Sequence, residues 1–169
     1  MMNEQGIRDV VESIRGRFYG KYRGTVVDVD ASTMRIKASV PAVLGSVTSG
    51  WAWPCVPYAG DSVGIAFLPE VGSAVWIEFE GGDVSFPIWT GCFWLAGQFP
   101  TDAAAAVKVI VTKQHKIILD DDQGSITIQD SNGNSIKFDS SGLTLSNGSQ
   151  TVQISDSEVN INNGALEVM

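Results

Sequence analysis

Residues Ser125–Leu145 read SITIQDSNGNSIKFDSSGLTL, three short alternating stretches separated by turns of Asp, Asn, Ser and Gly. Each stretch carries only two apolar residues on one face, the mark of a thin, half-buried strand. The pattern continues beyond it. Apolar pairs two residues apart recur at Ile126/Ile128, Ile136/Phe138, Leu143/Leu145, Val152/Ile154, Val159/Ile161 and Leu166/Val168. The steps between pairs are 10, 7, 9, 7 and 7 residues, an internal repeat of about eight.

Fully burying one Leu, Ile or Val stabilises a fold by about 1.5–3 kcal/mol. Ordering the backbone of each residue costs roughly 1–2 kcal/mol. Two apolar residues in eight therefore do not sustain an isolated meander with one face in water. The arrangement expected instead is a narrow three-sided prism in which three identical chains intertwine. Ile126, Ile128, Ile136, Phe138, Leu143, Leu145, Val152, Ile154, Val159 and Ile161 would point to the common axis as needle core and trimer interface. Thr127, Gln129, Lys137, Thr144, Gln153 and Asn160 would face water, and hydrogen bonds between chains would occupy the strand edges. With strands about 4.8 Å apart, the repeats build a rod about 30 Å long. A single-chain β-solenoid is the competing arrangement, for which eight residues per turn is short.

The chain has 169 residues, 44% hydrophobic and 18% charged, with eighteen glycines. That composition supports a folded, strand-rich, all-β protein. It contains no run of eighteen apolar residues, so no transmembrane helix is expected. Its start lacks the basic-then-apolar layout of a secretory signal, which points to synthesis in a cytoplasm. The net charge is −8, and residues 116–169 hold eight acids against only Lys116 and Lys137. Such a field repels phosphate backbones, so no nucleic-acid partner is expected.

Ahead of the repeat, residues 3–17 place Ile7, Val10, Val11 and Ile14 on one face of a short amphipathic helix. That face suits either the next domain or a neighbouring protein. From Tyr22 to Trp94 the signals are of a small β domain. YRGTVVDVD and MRIKASVPAV are strands joined by a hairpin-like connection, and Ala74–Phe79 and Pro87–Phe93 are strands flanking the turn EGGD. About five strands in that length predict a five-stranded Greek-key barrel of the OB type, with SH3-like barrels as the competitor. GQFPTDAAAAV reads as a connector. The resulting division is an N-terminal arm (1–20), a barrel (21–96), a linker (97–106) and a trimeric spike (107–169).

Little in the chain suggests chemistry. Cys55 and Cys92 sit in apolar, aromatic company and read as buried free thiols, and two cysteines with one His fit no zinc spacing. His115 reads as a turn residue, Asp120–Asp122 as solvated corner residues, and Glu78, Glu80 and Asp83 as products of strand alternation. No enzyme activity, cofactor or metal is expected. The tryptophans 51, 53, 76, 89 and 94 offer an alternative function, an OB-fold module stacking a glycan or oligonucleotide, with Trp76 and Trp89 otherwise serving as core and interface.

YRGTVVDVDASTMRIKASVPAVLG, WAWPCVPYAG and FLPEVGSAVWIEFEGGDVSFPIWTGCFW closely resemble the OB domain of contractile-tail spikes. That family includes phage central spikes, baseplate assembly proteins of the V type and VgrG-like spikes. TKQHKIILDDDQGSITIQDSNG is similar to the family's entry into its β-helical needle, with Gln114-His115 where Gly-His is usual. The resemblance implies a homotrimeric, non-enzymatic central spike of a contractile injection machine, in the baseplate of a virion or related particle. It further implies a separate hub protein, contacted by Ile7, Val10, Val11 and Ile14, and transient contact with a target membrane. Some short family spikes end in an iron-holding His-x-His apex, whereas NINNGALEVM has none. Leu166, Val168 and Met169 would instead form an apolar plateau for a tip protein of the PAAR sort.

Overall fold

In a computed structural model the described residues are 4–168, without the side chains of residues 9, 10, 12–15 and 167. The chain divides into two compact units, Met1–Gly97 and Gln98–Met169.

The first unit opens with helix α1, Glu4–Arg15. Strands β1 (Tyr22–Asp30) and β2 (Arg35–Ser39) follow as an antiparallel hairpin. Its turn is built by Asp30, whose carboxylate accepts bonds from the Ser32 N–H (2.9 Å), the Ser32 hydroxyl (2.6 Å) and the Thr33 hydroxyl (2.7 Å). β2 ends earlier than the sequence pattern suggests, because Pro41–Leu44 forms a short helix, α2. Proline brings no N–H to a ladder, and its fixed φ suits the first turn of a helix.

Short strands β3 (Trp53–Pro54), β4 (Ala59–Gly60) and β5 (Val63–Gly64) precede β6 (Ala74–Phe79) and β7 (Pro87–Cys92). The main sheet runs β2-β1-β6-β7-β3, while β4 and β5 pair only with each other. β1 serves two partners: residues 22–25 pair with β6 and residues 25–30 with β2. A bulge around Val27 lets it bend between them. At the far edge, Ile36 and Ala52 exchange backbone bonds of 3.4 and 2.7 Å, so the β3 side of the curled sheet returns to β2. β3 and β7 run parallel, and the other pairings of this sheet are antiparallel. Five strands in this curled order are OB-like.

Alternation determines which side chains enter. Val26, Ile36, Ala38, Val40, Ala52, Val75, Ile77, Phe79 and Trp89 form one buried cluster. Its polar intruders are satisfied: the buried Ser49 hydroxyl accepts from the Ala38 N–H (2.9 Å) and donates to the Gly50 carbonyl (2.8 Å), and the Trp89 indole donates to the Met34 carbonyl (3.3 Å). Residues 17–19 close over the Glu80–Gly82 turn, where the Phe18 N–H donates to Gly82 (2.8 Å). Gly82 has φ +77, and a Cβ there would meet Arg17 at 2.9 Å, so the site requires glycine.

The second unit is an antiparallel meander of eight strands: β8 (Val107–Val111), β9 (His115–Asp120), β10 (Ser125–Asp130), β11 (Asn134–Asp139), β12 (Gly142–Asn147), β13 (Gln150–Ile154), β14 (Val159–Ile161) and β15 (Leu166–Val168). Each strand pairs with the next in sequence. The strands thus hydrogen-bond within the chain, where the expectation placed those bonds between chains. Connections of two to four residues leave each strand nowhere to go but back along its predecessor. The connector belongs to this unit: Asp102 pairs with Lys116 (3.3 Å), and the Asp121 N–H donates to Ala106 (2.9 Å).

Candidate functional site: the apolar face of the tail sheet

Short polar turns hold the register of the meander. Asp130 accepts from the backbone N–H groups of Asn132 (2.8 Å) and Asn134 (2.9 Å) and from the Asn134 amide (2.7 Å). The Asn134 side chain is the main cause that holds the Asp130 carboxyl below its usual value. Asp139 is held lower still, chiefly by the Lys137 ammonium at 2.8 Å and then by Ser141. In the last turns Asn162 accepts from the Thr151 N–H (2.9 Å), and Asn160 accepts from the Gly164 N–H (2.9 Å). The Asp, Asn and Ser residues between strands are therefore structural acceptors.

With that register, the apolar pairs align into two rows on one face. The first runs Leu119–Ile126–Phe138–Leu143–Ile154–Val159–Val168 across seven strands. The second runs Ile110–Ile117–Ile128–Ile136–Leu145–Val152–Ile161–Leu166 across all eight. All ten residues predicted for the needle core are brought together in these rows, as are Leu166 and Val168. Met169 lies outside the described residues. The opposite face carries Thr127, Lys137, Thr144, Gln153 and Asn160 in register.

Among the described residues the rows are left uncovered. No described residue of 98–168 is buried. Ile126, Ile128, Phe138, Leu145 and Ile154 each leave 40% or more of their surface in water. A trough of about 650 Å³ lies against this face, with Ile128, Ile136, Leu145, Val152 and Ile161 among its lining. A contiguous apolar surface of this kind marks an interaction site.

Ile110, Ile117 and Leu119 belong to the rows but were not singled out from sequence. In VKVIVTKQHKIILDDD apolar residues occupy both parities, so alternation there does not reveal which face is which. Val107, Val109, Val111 and Ile118 lie on the opposite face.

Other candidate positions behave as structure. The His115 carbonyl accepts from the Thr112 N–H (2.8 Å) and the Thr112 hydroxyl, while its own N–H donates to Thr112 Oγ1 (3.0 Å), closing the β8–β9 turn. Among the described residues no group of His, Cys, Asp or Glu is placed to hold a metal ion. Cys55 and Cys92 are free thiols, as read, but they are exposed rather than buried. On α1, Ile7 and Val11 are exposed, and the side chains of Val10 and Ile14 lie outside the described residues.

The barrel tryptophans carry cations on their rings, which sequence did not reveal. Arg35 lies 3.4 Å over Trp53 and Lys37 4.4 Å over Trp51, while Arg23 sits over Trp76 (5.9 Å) and Phe93 (5.7 Å). Arg23 and Trp76 are register partners on β1 and β6, and Arg35 and Lys37 flank the Ile36–Ala52 bridge, juxtapositions that register creates and sequence separation hides. Trp89 is core, and Trp76 packs on Phe93 at 4.7 Å between ring centres.

Comparison with known families assigns both units. Residues 22–94 match the model of the type VI secretion system/phage-baseplate injector OB domain. Residues 107–167 match that of the phage baseplate V C-terminal trimerisation domain. No curated protein matches the chain.

Proposed function

The chain belongs to the phage baseplate V family, and from that premise we propose that it is the central spike of a contractile injection machine. Membership makes it a structural protein of the baseplate, associated with the phage tail, and its trimerisation domain supports a homotrimer. The observation that carries the fuller reading is the pair of uncovered apolar rows within that domain.

In the trimer, each chain supplies one sheet of a three-sided needle and turns its two rows inward. Every strand is already hydrogen-bonded within its own chain, so association has only to cover the apolar face. Covering the exposed half of a Leu or Ile is worth about 1 kcal/mol. Ten residues of the rows are exposed to about that extent in each chain, a gain of about 10 kcal/mol per chain against an association cost of about 4–15 kcal/mol.

The remaining assignments follow the spike reading. The α1 face (Ile7, Val10, Val11, Ile14) contacts the hub, and the plateau at Leu166, Val168 and Met169 seats a PAAR-like tip protein. Leu166 and Val168 leave 55% and 58% of their surface free, on an edge strand of the described sheet. The work is mechanical: a narrow rod is driven through a target membrane, with no chemical step. A stacking role for the tryptophans is less well supported, because Arg35, Lys37 and Arg23 already occupy ring faces that a base or sugar would need.

Electron microscopy of assembled particles, with an antibody against residues 125–168, tests this function. Label on the particle axis at the baseplate is expected. Particles that assemble and inject without the protein would overturn it.

A further inference from the structure

The barrel carries a projection that its own fold does not use. Pro57–Phe67 contains the β4–β5 hairpin, and all eleven residues are exposed. The hairpin is well formed: the Ile65 N–H donates to Tyr58 (3.0 Å), and a Cβ on Gly64 would meet the Tyr58 carbonyl at 2.9 Å. Yet Tyr58, Val63, Ile65 and Phe67 all face water, Phe67 with 62% of its surface. Asp61 at the turn is the arm's one charge, and its carboxylate accepts only from the Ser62 hydroxyl (3.2 Å) among the described residues. Four large apolar side chains around a single unpaired carboxylate make an arm shaped to be covered.

The same barrel offers a matching surface. Arg35 stacks on Trp53, which is itself exposed. Among the described residues the Arg35 guanidinium has no carboxylate partner, and its Nε is buried without an acceptor. A buried donor left unsatisfied calls for an explanation. Lys37 on Trp51 continues this face, although Asp28 already pairs with it at 3.5 Å. The surface is cationic and aromatic, whereas the arm is apolar with one acid.

We infer that within the trimer the Pro57–Phe67 arm of one copy docks on the Arg35–Trp53 face of the next, bringing Asp61 to the Arg35 guanidinium. The inference rests on the homotrimer proposed above. Tails already joined hold the barrels at an effective concentration in the millimolar range, where a contact too weak to form between free monomers is populated. Two different patches meeting head to tail close into a ring when the assembly is threefold. An Arg–carboxylate pair beside an aromatic ring is among the stronger polar contacts available.

Photo-crosslinking of the full-length protein tests this. With p-benzoylphenylalanine in place of Phe67, irradiation is expected to give covalent dimers and trimers whose crosslinks map to residues 35–53 of the neighbouring copy. Asp61→Arg should lower the yield about five-fold, the effect of one ion pair, and the charge exchange Asp61→Arg with Arg35→Asp should restore it. Particles of trimeric mass that give no crosslink between copies would overturn the docking while leaving the trimer intact. So would crosslinks that map outside residues 35–53 of the neighbouring copy, or a charge exchange that restores nothing. A monomeric mass for the unmodified protein would end both the docking and the trimer.

Discussion

Ile128 and Ile136 lie directly opposite each other across the β10–β11 hairpin, and they leave 45% and 38% of their surface in water. Cross-strand partners of this kind usually form the inside of a sheet packed on something else. Here they belong to rows that run the width of the sheet and that no described residue buries. In the trimer proposed above, each such sheet is one third of the assembly.

Ile128→Asp is expected to dissociate the trimer. Each altered trimer loses three Ile side chains and gains three carboxylates at an apolar interface, an unpaired-charge cost of several kcal/mol per site. Thr127→Asp, one residue away on the opposite face, should leave the oligomer intact. Sedimentation velocity of the two variants separates an effect of face from an effect of charge alone.

Gly142→Ala should destabilise the tail far more than Gly124→Ala. Both glycines have positive φ, +117 and +58, which costs an L residue about 1–3 kcal/mol. Only at Gly142 would the added Cβ also strike a backbone atom, the Ile154 carbonyl oxygen at 2.1 Å. Around Gly124 nothing lies within 4 Å. Thermal denaturation should show a modest fall for Gly124→Ala and loss of the folded tail for Gly142→Ala.

Acid should weaken the protein only below about pH 4. The Asp30 carboxyl is lowered to about 2 by the Ser32 and Thr33 hydroxyls, and Asp83, Asp130 and Asp139 are lowered by their turn partners. A carboxyl whose pKa is depressed on folding binds its proton more readily when unfolded. Its stabilisation is therefore present above the unfolded value of 3.8 and is lost as pH falls through the folded one. Stability measured by denaturant should be flat from neutrality to about pH 4 and then decline, and Asp30→Asn should flatten that decline.

Ile77→Ala should cost about 2–5 kcal/mol and act on the barrel alone, since Ile77 is fully buried in the first unit. Calorimetry is expected to show the barrel transition moved to lower temperature and the tail transition unmoved. A shift of both would mean that the two units fold as one.

Much of this was written in the alternation of the chain. The pairs from Ile126/Ile128 to Leu166/Val168 occupy one face because a two-residue period allows nothing else, and the strands Tyr22–Asp30 and Ala74–Phe79 show the same signal. Hydrogen-bonding partners were harder to see. Alternation specifies a face but not a neighbour, and the short turns that bind each strand to the next were outweighed by the energetic poverty of each strand. Hidden as well were the contacts that register alone creates, such as Arg35 on Trp53 across eighteen positions of sequence. The length of β2 was misjudged at Pro41, where a local backbone constraint overrode an apolar run.

The central claim is that the open face of the tail is closed by two further copies of the same chain. Light scattering on the full-length protein, eluting from a sizing column at micromolar concentration, tests it most directly. A mass three times that of the 18.1 kDa chain is predicted, falling to the single-chain mass in Ile128→Asp. A stable, folded monomer of the unaltered protein would contradict it.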